Sequence, residues 1–348
     1  MSSKKLLGMA CAVLIAGSLF AADVVLNPDH PDRYVVVEGD TLWDISNMFL
    51  RDPWLWPEIW YVNPQIANPH LIYPGDILTL VYVDGKPQLH VQRGQQTVKL
   101  EPRARVESLA HAIPTIPIDA IKQFLTKPLV VTEEQLDTAP YVVAGADEHV
   151  VTGAGDRVYA RGIEGTDVGL FDIFEPGGPL IDPDTGEVLG YQAIYVGESA
   201  VQRFGDPATL LLTATDREAR VGDRLWPTSI EPPVTHFTPH APPAGTEGRI
   251  ISVEGGVTQI GQFDIVALNL GTDNDIEVGN IMKIFQTGET IRDTVSNKRG
   301  ATVKLPDEEA GMLMVFRTFD RVSFALVMKA TRSMHINDYV RSPWSTTQ

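Results

Sequence analysis

Few residues in this chain of 348 have the type and spacing needed for covalent chemistry. The single cysteine, Cys11, lies in an apolar N-terminal run. The rest of the chain therefore has no thiolate nucleophile, no disulfide and no Cys-ligated zinc. No Gly-x-Ser-x-Gly occurs, and the only Ser-x-x-Lys runs from Ser2 to Lys5. His236 and His240 form His-x-x-x-His, but in a Pro-rich stretch and not on a helix. The His-Glu-x-x-His metal motif is absent. "DPDTGE" (182–187) mimics part of a Ca²⁺ loop. Its counterpart later in the chain, "LPDEEAG" (305–311), lacks the alternating acids, so a hairpin turn is the better reading. "TGAGDR" (152–157) has glycines but no helix after them, and it reads as a turn. No catalytic residue, metal or cofactor is expected, and the chain is read as non-enzymatic.

What remains suits non-covalent recognition, and local structure must position it. "RYVVVEG" (33–39) alternates β-branched residues into a strand over Tyr34–Val37. Gly39 permits the reversal that follows. Asp40 or Thr41 then caps a helix, with Asp44 three residues after Thr41 as a short-armed capping box. Leu42, Ile45 and Phe49 share one helical face and are expected to be buried. Asp52-Pro53 and Trp56-Pro57 place proline at a first helical position. The second helix is expected from about Pro57 to Val62, stopped by Asn63-Pro64. "NPHLIYPGD" (68–76) reads as a long ordered turn and "ILTLVYV" (77–83) as the returning strand, closed off by Gly85-Lys86-Pro87. Pairing of the two strands should bring the turns Gly39–Leu42 and Leu71–Gly75 side by side. Trp54, Trp56 and Trp60 have two readings. They form a stacking shelf, or they plug the core of a module with little else to bury.

Three motifs in this order resemble the LysM domain, a βααβ module: V-x-x-G-D-T-L-W-x-I at the start, N-P after the second helix, and I-x-P-G-D-x-L at the end. The resemblance covers residues 34–83, and the Trp-rich "RDPWLWPEIW" departs from the commoner pattern. It implies binding to peptidoglycan and other N-acetylglucosamine-containing glycans. The carried-over glycan-binding residues are Gly39, Asp40, Thr41, Leu42, Ile72, Tyr73 and Pro74. Backbone N–H and C=O groups of the paired turns could hold an acetamido group, with Gly39 and Gly75 allowing close approach. Apolar side chains would meet the sugar's C–H face. For Asp40 and Thr41 helix capping alone is the competing role, and Tyr73 could equally be core.

The rest of the chain reads as two small β-rich subdomains, built from hairpins and barrel-like in outline. With 29 Gly and 25 Pro, turns are frequent and a helical bundle is disfavoured. Three blocks recur in order: "VGLFDIF" (168–174) with "VGNIMKIF" (278–285), 182–196 with 305–317, and 208–225 with 323–340. In the last pair Val221, Asp223 and Leu225 fall opposite Ile336, Asp338 and Val340. The expected fold class is α+β: an N-terminal βααβ LysM module followed by a β-rich C-terminal region with two diverged repeats. The expected organisation is a signal peptide at 1–22, the module at 34–83, a mixed connecting region at 88–140, repeat one at 141–227, a Pro-rich linker at 228–248 and repeat two at 249–343. Within 88–140, "VQRGQQTVKLEPRARVE" alternates like a strand, "IDAIKQFL" (118–125) has helical spacing, and Thr132 caps a short helix.

The leader has Lys4 and Lys5, an apolar run from Leu6 to Phe20, and small residues after it, the layout of a secretory signal. No transmembrane span is expected in the mature chain. The net charge of −17 disfavours nucleic acid as a partner, since phosphate recognition needs clustered Lys and Arg. An exported, acidic, thiol-free chain fits the periplasm, attached to peptidoglycan near the outer membrane.

The whole layout resembles the type IV pilus secretin-associated (TsaP-like) family, with a FlgT-C-like C-terminal region. That resemblance implies an outer-membrane secretin as the protein partner, anchored to the cell wall. The alternatives are a peptidoglycan-remodelling enzyme of the lytic transglycosylase kind, or a general wall-anchored scaffold.

Overall fold

The computed structural model describes residues 24–60, 72–93, 112–121, 124–125, 130–146, 151–228, 237–256, 259–293, 295 and 301–344. The leader, "NPHL" and most of "VQRGQQTVKLEPRARVE" lie outside them. The N-terminal module starts with β1 (Arg33–Val35), α1 (Leu42–Phe49), a 3-10 turn at Pro53–Leu55 and α2 (Trp56–Ile59). Thr41 caps α1: its Oγ1 accepts the Asp44 amide at 3.1 Å. The Asp44 carboxylate takes the Thr41 hydroxyl (2.7 Å), closing the short-armed box through side chains. Leu42, Ile45 and Phe49 are buried as their spacing requires. The returning strand is β2 (Ile77–Val83), antiparallel to β1.

Gly85 does not close the module. Asp84 and Gly85 both have positive φ (51° and 77°), the mirror-image turn geometry that an Asp-Gly pair favours. They fold the chain straight back into β3 (Lys86–Gln92), which pairs with all of β2. The sheet therefore has three strands, and the βααβ outline is only part of the module.

Beyond it the helices are short: α3 (Ile118–Ile121) and α4 (Glu133–Thr138), the latter capped by Thr132 in a full capping box with Gln135. Strand β4 (Val130–Val131) precedes α4. The remaining strands of the first half are β5 (Tyr141–Gly145), β6 (Val151–Thr152), β7 (Arg157–Arg161), β8 (Leu170–Ile181), β9 (Val188–Arg203), β10 (Ala208–Thr215), β11 (Ala219–Arg220) and β12 (Arg224–Pro227). The second half has β13 (Glu247–Val253), β14 (Ile265–Leu268), β15 (Ile281–Gln286), the hairpin β16 (Thr290–Arg292) and β17 (Thr302–Lys304), β18 (Glu308–Thr318), β19 (Ser323–Ala330) and β20 (Tyr339–Arg341).

Pairing closes each half into a six-stranded antiparallel ring. The second runs β13-β14-β19-β18-β15-β20 and back. The first runs β5-β7-β10-β9-β8-β12, closed by β12–β5, with β4 added on the free side of β9. Strand for strand the two orders are the same. Closure gives each of the six strands of either ring a neighbour on both sides.

These barrels overturn the α+β expectation. Among the described residues strand takes 47% and helix 11%, so the chain is mostly β. The short helix read at "TEEQLD" is α4 and the start of "IDAIKQFL" is α3, but neither forms a layer of its own.

Barrel two is apolar on both faces of one wall. Val266, Leu268, Leu313, Val315, Ala325 and Val327 fill its interior. Their alternates Ile265, Met312, Met314, Phe316, Phe324 and Leu326 point outward, yet they are buried in one cluster with the N-terminal module and with Ile113, Ile116, Ile121 and Phe124. Continuous apolar runs mark strands covered on both faces. "AGMLMVF" in β18 is such a run, and the module with its following segment is the cover.

One turn recurs seven times among the described residues. It ends at Asp40, Asp76, Asp156, Asp223, Asp264, Asn280 and Asp338. In each, the last residue's amide donates to the carbonyl three residues earlier, and its side-chain oxygen accepts that residue's amide at 2.8–3.0 Å. The third position always has positive φ, from 69° to 99°. Glycine fills it five times, because the left-handed region spares only glycine a steric penalty.

Burial pushes the Asp223 carboxyl up to about 6 from 3.8, against the opposing bond from the Arg220 amide. The folded state then holds a proton between about pH 4 and 6 that the unfolded chain has lost. Parental stability should therefore fall as pH rises through that window. Asp223→Asn keeps an acceptor for the Arg220 amide, as Asn280 already does in its own turn. The variant should gain on the order of 1–3 kcal/mol at pH 7 and lose the pH 4–6 slope in urea denaturation. An unchanged slope would place the titration elsewhere.

Candidate functional site

The two turns of the N-terminal module are fixed side by side by the backbone. The Val36 amide donates to the Asp76 carbonyl (2.9 Å), and the Gly75 amide donates to the Val36 carbonyl (2.8 Å). This is the juxtaposition expected from pairing of β1 with β2. Leu71 lies outside the described residues.

Each carried-over residue has a definite place. Gly39 (φ 97°) sits at the tip of the first turn with open space where a Cβ would stand. Asp40 does not cap the helix. Its carboxylate accepts the Val37 amide (2.9 Å) and the Tyr34 hydroxyl (3.0 Å), which closes the turn. Burial, with that carboxylate beside it, holds the Tyr34 phenol above its ordinary pKa. Thr41 is the cap and is buried with Leu42. Ile72 is fully buried. Tyr73 is half-buried, with the Arg93 guanidinium 5.0 Å from its ring centre and paired to the buried Asp76. Pro74 stays partly open at the second turn.

The groove between the turns is filled by the chain itself. Residues 112–118, "AIPTIPI", cross it as a strap that bends at Thr115 and Ile116 and enters α3 at Ile118. The Ile113 amide donates to the Ile72 carbonyl (2.8 Å). The Leu42 amide donates to the Pro114 carbonyl (2.9 Å), and the Trp43 amide to the Thr115 carbonyl (3.0 Å). Those amides belong to the first turn of α1, where backbone N–H groups have no partner inside the helix. The signal for the strap was present in the sequence. Ile113 and Ile116 each precede a proline, which holds them extended.

Beside the strap lies a cavity of about 770 Å³. Gly39, Asp40, Thr41 and Pro74 line it, together with Glu38, Asp44, Asp119 and Phe263. Leu42, Ile72 and Tyr73 do not. Phe263 comes from barrel two and occupies the third position of one recurring turn at φ 69°. An aromatic residue there is a conformational outlier.

The tryptophans are core. Trp54, Trp56 and Trp60 are at most 7% exposed, and their rings pack edge-on, Trp56 on Trp60 at 5.6 Å and Trp54 on Trp344 at 5.3 Å. "DPDTGE" forms the β8–β9 hairpin turn, with Asp184 paired to Arg249 and Glu187 to Arg321 of barrel two. His236 lies outside the described residues. His240 meets the Thr238 carbonyl and Glu277. Among the described residues no group of three or more His, Cys, Asp or Glu could hold a metal.

Residues 34–81 match the LysM domain family, which points to carbohydrate binding by this module. Its relatives include the uncharacterized protein YqbP of Bacillus subtilis strain 168, 38% identical over 60 residues. That match covers 14% of this chain and about a quarter (27%) of the relative's length. No described helix is long and apolar enough to cross a membrane.

Proposed function

We propose that this chain binds peptidoglycan through its LysM module and holds an outer-membrane secretin of the type IV pilus kind to the cell wall. The observation that carries the sugar reading is the tied pair of turns at Gly39–Leu42 and Ile72–Gly75, within the segment that matches LysM. The secretin, the TsaP-like and FlgT-C-like assignments and a periplasmic site near the outer membrane rest on the sequence layout: a signal-like leader, one N-terminal module and a duplicated β-rich region. In this reading the two barrels would be the part that meets the protein partner. A single sugar module binds in the millimolar to micromolar range, about −4 to −8 kcal/mol. Several copies around a ring would add avidity without any new contact.

The test is co-sedimentation of the purified chain with sacculi, followed by capture of envelope extract on the immobilised chain. Binding without release of muropeptides, and a secretin in the captured fraction, are expected. Released muropeptides would make the protein an enzyme. A chain left in the supernatant would remove the anchoring role.

A further inference from the structure

We propose that the strap, residues 112–118, is a built-in competitor for the sugar: it fills the acetamido groove between the two turns and must leave before a glycan enters. The proposal rests on the glycan-binding reading of the module. An acetamido group offers one N–H and one C=O. The strap offers the same pair to the same walls, the Ile113 N–H to the Ile72 carbonyl and the Pro114 C=O to the Leu42 amide. A second carbonyl, that of Thr115, takes the Trp43 amide. Each of those amides has one hydrogen, so strap and sugar cannot both hold it. Pro114 has no N–H, so it brings no extra donor into a groove that would have to satisfy it.

The strap is seated, not merely nearby. Ile113, Thr115 and Ile116 are 3%, 2% and 0% exposed. The Phe237 amide also approaches the Thr115 hydroxyl at 3.4 Å, and Ile113 and Ile116 belong to the cluster over barrel two. Release is therefore resisted by the groove and by the barrel wall together. Prolines 114 and 117 keep the freed segment extended, so little freedom is lost when it docks again. A groove open one part in a hundred binds its ligand about a hundredfold more weakly than its intrinsic affinity.

The test is titration of the purified full chain with the β-1,4-linked N-acetylglucosamine tetramer, alongside an Ile113→Ala/Pro114→Gly variant. The variant should bind at least about tenfold more tightly, because the closed population falls. Hydrogen exchange on the parent needs no variant to fold. Tetramer should expose the Ile113 amide while the Leu42 and Trp43 amides stay protected by their new acceptor. Equal affinities with Ile113 still protected would overturn the proposal and leave sugar binding standing, the tetramer then occupying the cavity beside the strap. Failure of both proteins to bind at millimolar tetramer would remove the sugar reading, and the competitor with it.

Discussion

Trp56→Ala should destabilise the N-terminal module by about 3–5 kcal/mol, the usual penalty for emptying a buried tryptophan site. Trp56 is 1% exposed and leads the fully buried side chains in size. Its ring packs edge-on against Trp60, in the core cluster that also holds Leu42, Ile45, Phe49 and Leu89. The module is small, so one ring is a large part of what it can bury. Faster hydrogen exchange at the α1 amides, Ile45 and Leu50 among them, is the readout, together with an earlier denaturant midpoint. A sugar-stacking shelf would behave the other way. If exchange and midpoint stay put while binding to the N-acetylglucosamine tetramer disappears, the burial assigned to this ring is wrong.

Leu326→Asp should do damage of similar size, at least about 3 kcal/mol, from outside the barrel. Leu326 is fully buried on the outward face of β19, in the cluster formed with the N-terminal module and the strap. A carboxylate there loses its water, and none of the apolar neighbours in that cluster can pair with it. The expected result is a lower denaturation midpoint and new protease cleavage in residues 24–93, since the cover would no longer seat. Lys329→Asp, at the exposed end of the same strand, should stay within about 0.5 kcal/mol of the parent. Intact resistance to protease in the Leu326 variant would mean that the module does not depend on this wall.

The turn chemistry was the most legible part of the chain. Gly-Asp after a β-branched run, with Thr41 and Asp44 behind it, sufficed to place a strand, a reversal and a capped helix, because each depends on neighbours within four residues. The internal repetition of 208–225 in 323–340 was readable for the same reason, since it is a match of local strand and turn patterns. The helix share implied by an α+β class was overread, but the short helix at "TEEQLD" and its Thr132 cap were legible, because a cap depends on residues three positions apart. The third strand of the module was missed because Gly85 was taken as an end, when Asp84-Gly85 is a hairpin signal.

Of the candidate site, the two turns and their approach were legible, while the occupant of the groove was not. "AIPTIPI" lies about forty residues from Ile72 in sequence, and no local pattern says which groove an extended segment will find. Asp40 was one of two candidate caps; Thr41 caps the helix, and the Asp40 carboxylate closes the turn. The tryptophan cluster was left open between shelf and core. Tertiary packing put all three rings inside.

The amino-acid sequence alone determined the LysM module, its paired turns and the doubled pattern of short strands, since these arise from backbone preferences and side chains close along the chain. Only the tertiary structure decided that both halves close into rings of one strand order, that a wall of the second ring is covered on both faces, and that the strap lies in the groove between the two turns. Those outcomes depend on which distant surfaces shed water against each other. That choice is made by the summed burial of the whole chain, and no short stretch contains it.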